Sequence, residues 1–307
     1  MQQITNQLLM IRPADFRMNE ETAVNNYFQQ ELSNTPLEIT ELAQKEFDEF
    51  VNKLKNAGIQ VKVINDLKDN NTPDSIFPNN WISFHENGTV ALYPMFAENR
   101  RRERRMDVID ELRQEGIQFN KIVDYTAAEK DNLFLEGTGS LLLDRVNKKV
   151  YCALSVRADK KLIEQFCKDF HYSPILFTAY QTVADQRKAI YHTNVMMALG
   201  ESFAVICLDT IDNENEKQEV IQNLKEDNKA IIEITEQQMH SFAGNMLQVK
   251  GYNGQKHLVM SQQAFESLNK DQINEIKKHC SILSSDLKTI ETLGGGSARC
   301  MMAEVFK

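Results

Sequence analysis

The stretch NNWISFHENGTVALYP, residues 79–94, contains two short apolar runs joined by Asn87-Gly88. Asn-Gly favours the tight two-residue turn of a β-hairpin, because both residues accept a positive φ. The stretch therefore predicts two antiparallel strands. A helical periodicity at residues 41–58 and a strand pattern at residues 60–66 precede it. The local unit is thus a helix, a strand and a hairpin.

The same unit recurs along the chain. Further hairpin patterns turn near Asn147, Gly200 and Asn253-Gly254, so successive turns lie 53 to 60 residues apart. Helices are predicted near residues 101–115, 158–170, 214–225 and 270–279. A repeat of this length is one supersecondary unit. Four copies, and a fifth split between NQLLMIRP (6–13) and the C-terminal residues, would close a ring of α/β class with hairpins inside and helices outside.

Composition is typical of a globular protein that can bury a sizeable core. The chain has 307 residues, of which 42% are hydrophobic and 26% charged, and a net charge of −9. This charge disfavours general nucleic-acid binding. The sequence has no proline- or serine-rich linker, so residues 1–307 are predicted to form a single domain.

The sequence also predicts the surroundings in which the protein works. It has no apolar run of 18 residues and no signal-peptide pattern at its start, so we expect no membrane association. Five scattered cysteines without zinc-binding spacing favour a reducing, cytoplasmic location and no metal site. One basic run, Arg100 to Arg105, opposes the acidic trend. It is typical of a solvated helix face, with anion or carboxylate binding by one or two of its arginines as the alternative.

The segments that lead into the hairpins occupy equivalent places in the repeat, so pseudo-symmetry would bring them together at one end of the ring. Their polar and reactive residues are Asp74, Asn79, Asn80, Glu136, His192, Asn194, Asn245 and Cys300. A thiol beside an imidazole performs nucleophilic catalysis, and a carboxylate behind the imidazole orients it. A single late cysteine is most often a buried small side chain, and a single histidine in a strand is usually structural. Their shared place in the repeat favours a catalytic site.

Several ordered motifs resemble those of the guanidino-group-modifying enzymes, the pentein superfamily, which includes arginine deiminase, dimethylarginine dimethylaminohydrolase and amidinotransferases. The motifs are PDSIFPNN (73–80), LEGTG (135–139), YHTN (191–194) and GGGSARC (294–300). The resemblance spans nearly the whole chain. It implies a five-bladed α/β propeller with pseudo-fivefold repeats of about 55 residues, and chemistry that needs no cofactor.

The resemblance also implies residue roles. Cys300 would be the nucleophile, His192 the general acid and base, and Glu136 the partner of the imidazole. The implied substrate-binding residues are Asp74, Phe77, Asn79, Asn80, Arg100, Arg157 and Asn194. Of these, the aspartate would hold the α-amino group of an amino-acid substrate. The two arginines would hold its α-carboxylate through paired hydrogen bonds.

The motifs depart from the family pattern at three places. Asn79-Asn80 stand where Glu-Asp is typical, Gly139 where other members have aspartate, and Asn194 where arginine deiminases have aspartate. A guanidinium offers only donors and is best matched by carboxylates, whereas an amide both donates and accepts and so suits a neutral ureido group. The alternative is that these asparagines cap turns, or bind a guanidinium through their side-chain carbonyls.

We therefore expect a cysteine-dependent hydrolase that converts citrulline to ornithine, of the citrulline-utilisation type. The alternatives are dimethylarginine dimethylaminohydrolase, arginine deiminase, amidinotransferase and a non-catalytic binding protein on the same fold. The expected partner is a small amino-acid substrate, with neither nucleic acid nor membrane. A homodimer is compatible with the sequence.

Overall fold

The computed structural model describes residues 2–30 and 32–306. The strands are β1 Gln7–Arg12, β2 Gln60–Asn65, β3 Ile82–Phe84, β4 Thr89–Leu92, β5 Lys121–Asp124, β6 Leu142–Asp144, β7 Lys149–Ala153, β8 Ser173–Phe177, β9 Tyr180–Val183, β10 Gln186–Ala189, β11 Met197–Leu199, β12 Phe203–Ile206, β13 Ala230–Glu233, β14 Leu247–Lys250, β15 Lys256–Ser261, β16 Ser281–Ser285 and β17 Ala303–Glu304. The α-helices are α1 Glu20–Ala23, α2 Pro36–Asn56, α3 Asp107–Gln114, α4 Gly137–Ser140, α5 Lys160–Phe170, α6 Glu214–Glu226, α7 Glu236–His240, α8 Gln262–Ser267, α9 Lys270–His279 and α10 Lys288–Gly294. The α/β class expected from the sequence is confirmed.

Four three-stranded sheets share one pattern of connections. In each, two strands form an antiparallel hairpin, and the second of them pairs in parallel with the strand that follows. The four sheets are β3-β4-β5, β6-β7-β8, β11-β12-β13 and β14-β15-β16. A helix or helical turn precedes each third strand, because a parallel partner requires a crossover connection.

A fifth three-stranded sheet joins the two ends of the chain. Strand β1 pairs in parallel with β2 and antiparallel with β17, with Leu9 opposite Ala303. Strand β17 thus takes the place that the first hairpin strand has in the other four sheets. This pairing fixes residues 294–302, which directly precede β17, beside the N-terminal strand.

Helix α2 shows how local sequence and packing cooperate. Thr35 and Glu38 form a reciprocal capping box, and Pro36 occupies the first turn, where its missing N–H costs nothing. The apolar face of the helix buries Phe47, Phe50 and Leu54 in a core cluster that also contains Cys300. Burial of each such side chain stabilises the fold by roughly 1.5–3 kcal/mol.

Three features differ from the sequence-based expectations. Residues 101–115 do not form one helix: a 3₁₀ turn covers Asn99–Glu103, and α3 begins only at Asp107. Hairpin β9-β10 was not predicted, since its turn residues Ala184 and Asp185 adopt φ of 46° and 61° without the usual glycine or asparagine. Helix α10, which leads into the glycine loop, was also not predicted.

The basic run divides between surface and interior. Arg100 is buried, whereas Arg101 and Arg104 pair with Glu129, and Arg105 pairs with Asp107. Three arginines of the run therefore behave as the expected charged face, and Arg100 points inward. Within the described ranges, no helix is long and apolar enough to cross a membrane.

Candidate active site

The segments that lead into the hairpins do meet, and glycines permit their close approach. Gly137 has φ of +40°, and a Cβ there would lie 2.3 Å from the backbone oxygen of Asn79. A Cβ at Gly139 would lie 3.0 Å from Nδ1 and Cε1 of His192. The imidazole ring therefore lies directly against Gly139.

His192 and Glu136 form the central pair of the site. The Nε2 atom of His192 lies 2.7 Å from Oε2 of Glu136, and both side chains are almost completely buried. The backbone N–H of Phe96 donates to the other carboxylate oxygen at 3.0 Å, and Nη1 of Arg157 approaches Oε2 at 3.4 Å. The carboxylate is thus hydrogen-bonded on both oxygens, which fixes the plane and tautomer of the imidazole.

Electrostatics give the two partners different protonation states. Burial raises the pKa of Glu136, but Arg157 and His192 outweigh it and hold that pKa well below its usual range. Burial lowers the pKa of His192 to about 4, and the neighbouring carboxylate only partly offsets this effect. At neutral pH the site therefore contains an ionised carboxylate and a neutral imidazole ready to accept a proton.

Cys300 lies against two side-chain amides. Nδ2 of Asn194 is 3.4 Å from the Cys300 sulfur, and Nδ2 of Asn245 is 3.2 Å from it. The sequence placed Asn245 at the convergence but assigned it no role. Asn245 lies two residues before a hairpin strand, as Asn80 does, and this shared position indicates that both residues face the site.

A small cavity opens beside the sulfur. Its walls are formed by Asn26, Asp74, Phe77, Asn80, Arg100, Arg157, Tyr191, His192, Gly294, Gly295, Gly296 and Cys300. Seven of the ten residues expected from the sequence are among them. Glu136 lies behind His192, and Asn194 lies behind the sulfur. Asn79 does not line the cavity, and neither polar atom of its buried side chain has a hydrogen-bond partner among the described residues.

One carboxylate oxygen of Asp74 is able to accept a hydrogen bond from a ligand. Its Oδ2 accepts a hydrogen bond of 2.7 Å from Nδ2 of Asn19, and Nε of Arg100 lies 3.7 Å away. Its Oδ1 is buried and has no hydrogen-bond partner in the described part of the chain. Burial raises the pKa of Asp74, against the opposing effect of Arg100. A ligand ammonium would relieve this cost by pairing with Oδ1.

The two buried arginines are held by protein partners. Nε and Nη2 of Arg100 donate to the two carboxylate oxygens of Glu103, at 2.8 and 3.0 Å. Nε of Arg157 donates to Oδ1 of Asn25 at 3.0 Å. The guanidinium carbon of Arg157 lies 4.9 Å from the centroid of the Tyr191 ring. Both arginines still line the cavity. Sequence reasoning missed Glu103, although its i+3 spacing from Arg100 is a helical-turn pairing pattern.

An N-terminal segment that no motif marked covers one side of the cavity. Asn26 donates to the backbone oxygen of Gly294 at 3.3 Å, and Gln29 to that of Leu293 at 3.0 Å. This segment therefore contacts the glycine loop before Cys300. Within the described ranges, no cluster of three or more His, Cys, Asp or Glu residues is arranged to hold a metal ion.

A buried cysteine and a carboxylate-bound imidazole on one small cavity are the arrangement of a thiol-dependent enzyme site. The family model described as N,N dimethylarginine dimethylhydrolase, eukaryotic, matches residues 12–307. The chain therefore belongs to this family, one of the guanidino-group-modifying enzymes expected from the motifs, and the expectation of a hydrolase is confirmed at that level. Comparison with curated protein sequences finds no match.

Solved structures show the same fold at low sequence identity. ArgZ, an arginine dihydrolase from the ornithine-ammonia cycle in cyanobacteria, is 14% identical with a TM-score of 0.74; the match covers 98% of this chain and 40% of ArgZ. The N-terminal domain of ArgZ bound to substrate is 14% identical with a TM-score of 0.71, and 98% of each chain is covered. A dimethylarginine dimethylaminohydrolase variant, as its adduct with S-methyl-L-thiocitrulline, is 13% identical with a TM-score of 0.64, covering 98% of this chain and 99% of that one.

Proposed function

We propose that this protein hydrolyses the ureido group of citrulline to give ornithine, ammonia and carbon dioxide. The observation that supports this substrate is the polar character of the cavity beside Cys300. Asn80 lines the cavity, and its Oδ1 is buried without a partner among the described residues. Its Nδ2 already approaches Oε2 of Glu136 at 3.4 Å. An NH₂ group of a ureido or a guanidino substrate would satisfy this acceptor, so the choice between the two depends on the charges around the sulfur.

The charges near the sulfur favour a neutral reacting group over a cation. Both oxygens of Glu136 are engaged, by His192 and by the backbone of Phe96. The other groups close to the sulfur are amides and a neutral imidazole. With Asp74 assigned to the α-amino group, a guanidinium would find no other unengaged carboxylate among the residues that line the cavity, and an unmatched buried charge is costly.

The far end of the cavity fits the amino-acid part of the substrate. Asp74 offers its unpartnered Oδ1 to the α-amino group, and Arg100 and Arg157 present positive charge to the α-carboxylate. Phe77 supplies an apolar wall for the methylene chain. The binding roles of Asn79 and Asn194 that the motifs imply remain predictions, since neither side chain is part of the cavity wall.

The mechanism uses the thiol and the imidazole in turn. Cys300 attacks the ureido carbon while its proton passes to His192, whose Nδ1 is available because Nε2 is held by Glu136. The imidazolium protonates the departing nitrogen and the carbon–nitrogen bond breaks. His192 then takes a proton from water, which attacks the thiocarbamate carbon, and the sulfur leaves with that proton. The carbamic acid released in this step loses carbon dioxide, which breaks the second carbon–nitrogen bond and frees the remaining amine. The sum is citrulline plus water giving ornithine, ammonia and carbon dioxide.

Hydrolysis of arginine or dimethylarginine is the alternative, since the family description and the solved relatives name those substrates. The test is product analysis after separate incubations with citrulline, arginine and dimethylarginine. Ornithine from citrulline, with arginine left intact, is the expected result. Citrulline from either guanidino substrate would overturn the ureido assignment and leave the thiol mechanism in place. Transfer to an added amine would indicate an amidinotransferase.

A matched variant tests the role of the amide directly. Asn80→Asp keeps the shape of the side chain and adds a carboxylate that suits a guanidinium. We expect the ratio of kcat/KM for arginine to that for citrulline to rise by at least about tenfold, which corresponds to ~1.4 kcal/mol. An unchanged ratio would show that Asn80 does not select the substrate.

We also propose an overall architecture for the chain. The five three-stranded sheets, one of them closed by both chain ends, support a five-bladed α/β propeller with pseudo-fivefold repeats. We propose that residues 1–307 form one catalytic domain; Met1, Glu31 and Lys307 lie outside the described residues. Cytoplasmic location and a homodimer remain predictions.

A further inference from the structure

Asn245 makes three contacts that together fix its amide beside the nucleophile. Its Oδ1 accepts a hydrogen bond of 3.0 Å from the backbone N–H of Arg299. Its Nδ2 donates to the backbone oxygen of Asn194 at 3.0 Å and lies 3.2 Å from the sulfur of Cys300. The side chain is completely buried. Each polar atom of this amide is thus oriented, and one N–H is directed at the sulfur.

The loop that contains Asn245 packs closely against the turn that contains Asn194. A Cβ at Gly244 would lie 2.2 Å from the backbone oxygen of Val195, so only glycine allows the loop to reach the turn that contains Asn194. Phe242 adopts φ of +63°, and the backbone N–H of Asn245 donates to its oxygen at 2.8 Å. This unusual backbone places the amide within reach of the sulfur.

We propose that Asn245 is a positioning residue that, together with Asn194, stabilises negative charge on the sulfur of Cys300 in the free enzyme. Two amide N–H groups at 3.2 and 3.4 Å act as charge-assisted donors once the thiol loses its proton. Asn194 also presents its Oδ1 at 3.8 Å, so the same side chain accepts from the protonated thiol. The pair therefore accommodates both states of the nucleophile.

The need for such donors follows from the charges around them, and this step rests on the proposed function. His192 is neutral at neutral pH, so no imidazolium is present in the free enzyme to stabilise a thiolate. A guanidinium substrate would bring positive charge to the sulfur when it binds, whereas a neutral ureido group brings none. The enzyme must then supply the stabilisation from its own groups.

Asn245→Asp is the sharpest test, since it keeps the acceptor for the Arg299 N–H and replaces only the donating group. The readout is the second-order rate of alkylation of Cys300 by iodoacetamide at pH 7 in the substrate-free protein, followed by peptide mass spectrometry. We expect a fall of at least about tenfold, the loss typical of one hydrogen bond to a charged group. With citrulline, kcat should fall in parallel and KM should stay within about twofold.

Two further variants make the result decisive. Asn253→Asp, in the exposed turn of the next hairpin, retains its hydrogen bond from Gln255 and should alkylate at the wild-type rate. Asn245→Ala removes the donor without adding charge and should also slow alkylation. A wild-type rate in Asn245→Ala, with thermal unfolding showing a folded protein, would overturn the proposal even if Asn245→Asp were slow. Because alkylation involves no substrate, this failure is distinguishable from failure of the citrulline assignment.

Discussion

His192 and Glu136, 56 positions apart in the sequence, meet through a 2.7 Å contact in the buried centre of the site. Arg157 approaches the same carboxylate oxygen at 3.4 Å. This arrangement keeps the carboxylate ionised and leaves the imidazole neutral, because burial disfavours the imidazolium more than the carboxylate favours it. The free enzyme is therefore prepared to accept a proton from its nucleophile.

The acid limb of the pH profile should reflect this balance. Because the pKa of His192 is lowered to about 4, chiefly by burial, kcat/KM should decline only as pH falls towards 4. Below that pH the ring is protonated and cannot accept the thiol proton. The measurement is kcat/KM for citrulline between pH 3.5 and 8, a range chosen around the reference pKa of roughly 6.5 for histidine. A midpoint near that reference value would contradict the buried, neutral imidazole.

A Glu136→Gln variant tests whether His192 is the group that controls the acid limb of the kcat/KM profile. The carboxylate raises the pKa of His192, so its loss should move the acid limb to still lower pH. It also removes the carboxylate that neutralises the buried charge of Arg157, although the hydrogen bonds to Asn25 remain. We expect destabilisation of about 3 kcal/mol, measured by denaturant unfolding. An acid limb that does not move would show that another group controls it.

Replacing the nucleophile should abolish turnover. Cys300→Ser and His192→Ala should each lower kcat by at least about 10³-fold, because the two residues act as one unit. Cys280→Ser is the matched control, since this cysteine lies outside the cavity wall, and it should retain wild-type kcat. Normal turnover by either active-site variant, measured as ammonia release, would exclude the thiol mechanism.

Asp74→Asn should weaken substrate binding more than it slows the chemistry. Removing a buried ion pair with the α-amino group should raise KM for citrulline by about 10- to 100-fold, while kcat changes little. The control substrate is 5-ureidopentanoate, which lacks the amino group. Wild type should prefer citrulline strongly and the variant should not. A preference that persists in Asp74→Asn would place the amino group elsewhere.

Glu291 should make stability fall as pH rises. Burial raises its pKa from 4.5 to about 7, and it pairs with the hydroxyl of Ser297 at 2.6 Å, three residues before the nucleophile. Between those two pH values the carboxyl of Glu291 is protonated in the folded protein and ionised in the unfolded chain. The stability that this group contributes is therefore complete below about pH 4.5 and is lost as pH rises through about 7.

The Glu291→Gln variant tests this dependence. The uncharged side chain should remove roughly 3 kcal/mol of the loss between pH 4.5 and 8, measured by denaturant unfolding at both values. Glu266→Gln, an exposed change, should leave the pH dependence unaltered. Equal pH dependence in wild type and Glu291→Gln would show that the carboxyl is ionised when folded.

Local patterns predicted the repeated elements because hairpin and helix signals act over a few residues. The turn at Asn87-Gly88 and the helix at Lys270–His279 lie where the sequence placed them. Turns that depend on tertiary support were missed, as at Ala184-Asp185, where Ala184 adopts a positive φ that alanine disfavours. The helix expected at residues 101–115 is divided into a 3₁₀ turn and α3, and the buried contacts of Arg100 with Glu103 and Asp74 in that turn were not visible in the local pattern.

The sequence by itself determined which reactive groups the chain has and their equivalent places in the repeat, and hence predicted that Cys300, His192 and Glu136 belong to one site. Tertiary structure alone decided what each group does there. Burial sets the protonation of His192, which no local pattern encodes. Contacts between distant segments place Asn245 on the sulfur and fold the N-terminal segment over the cavity. These properties depend on distance and desolvation, which exist only once the chain has folded.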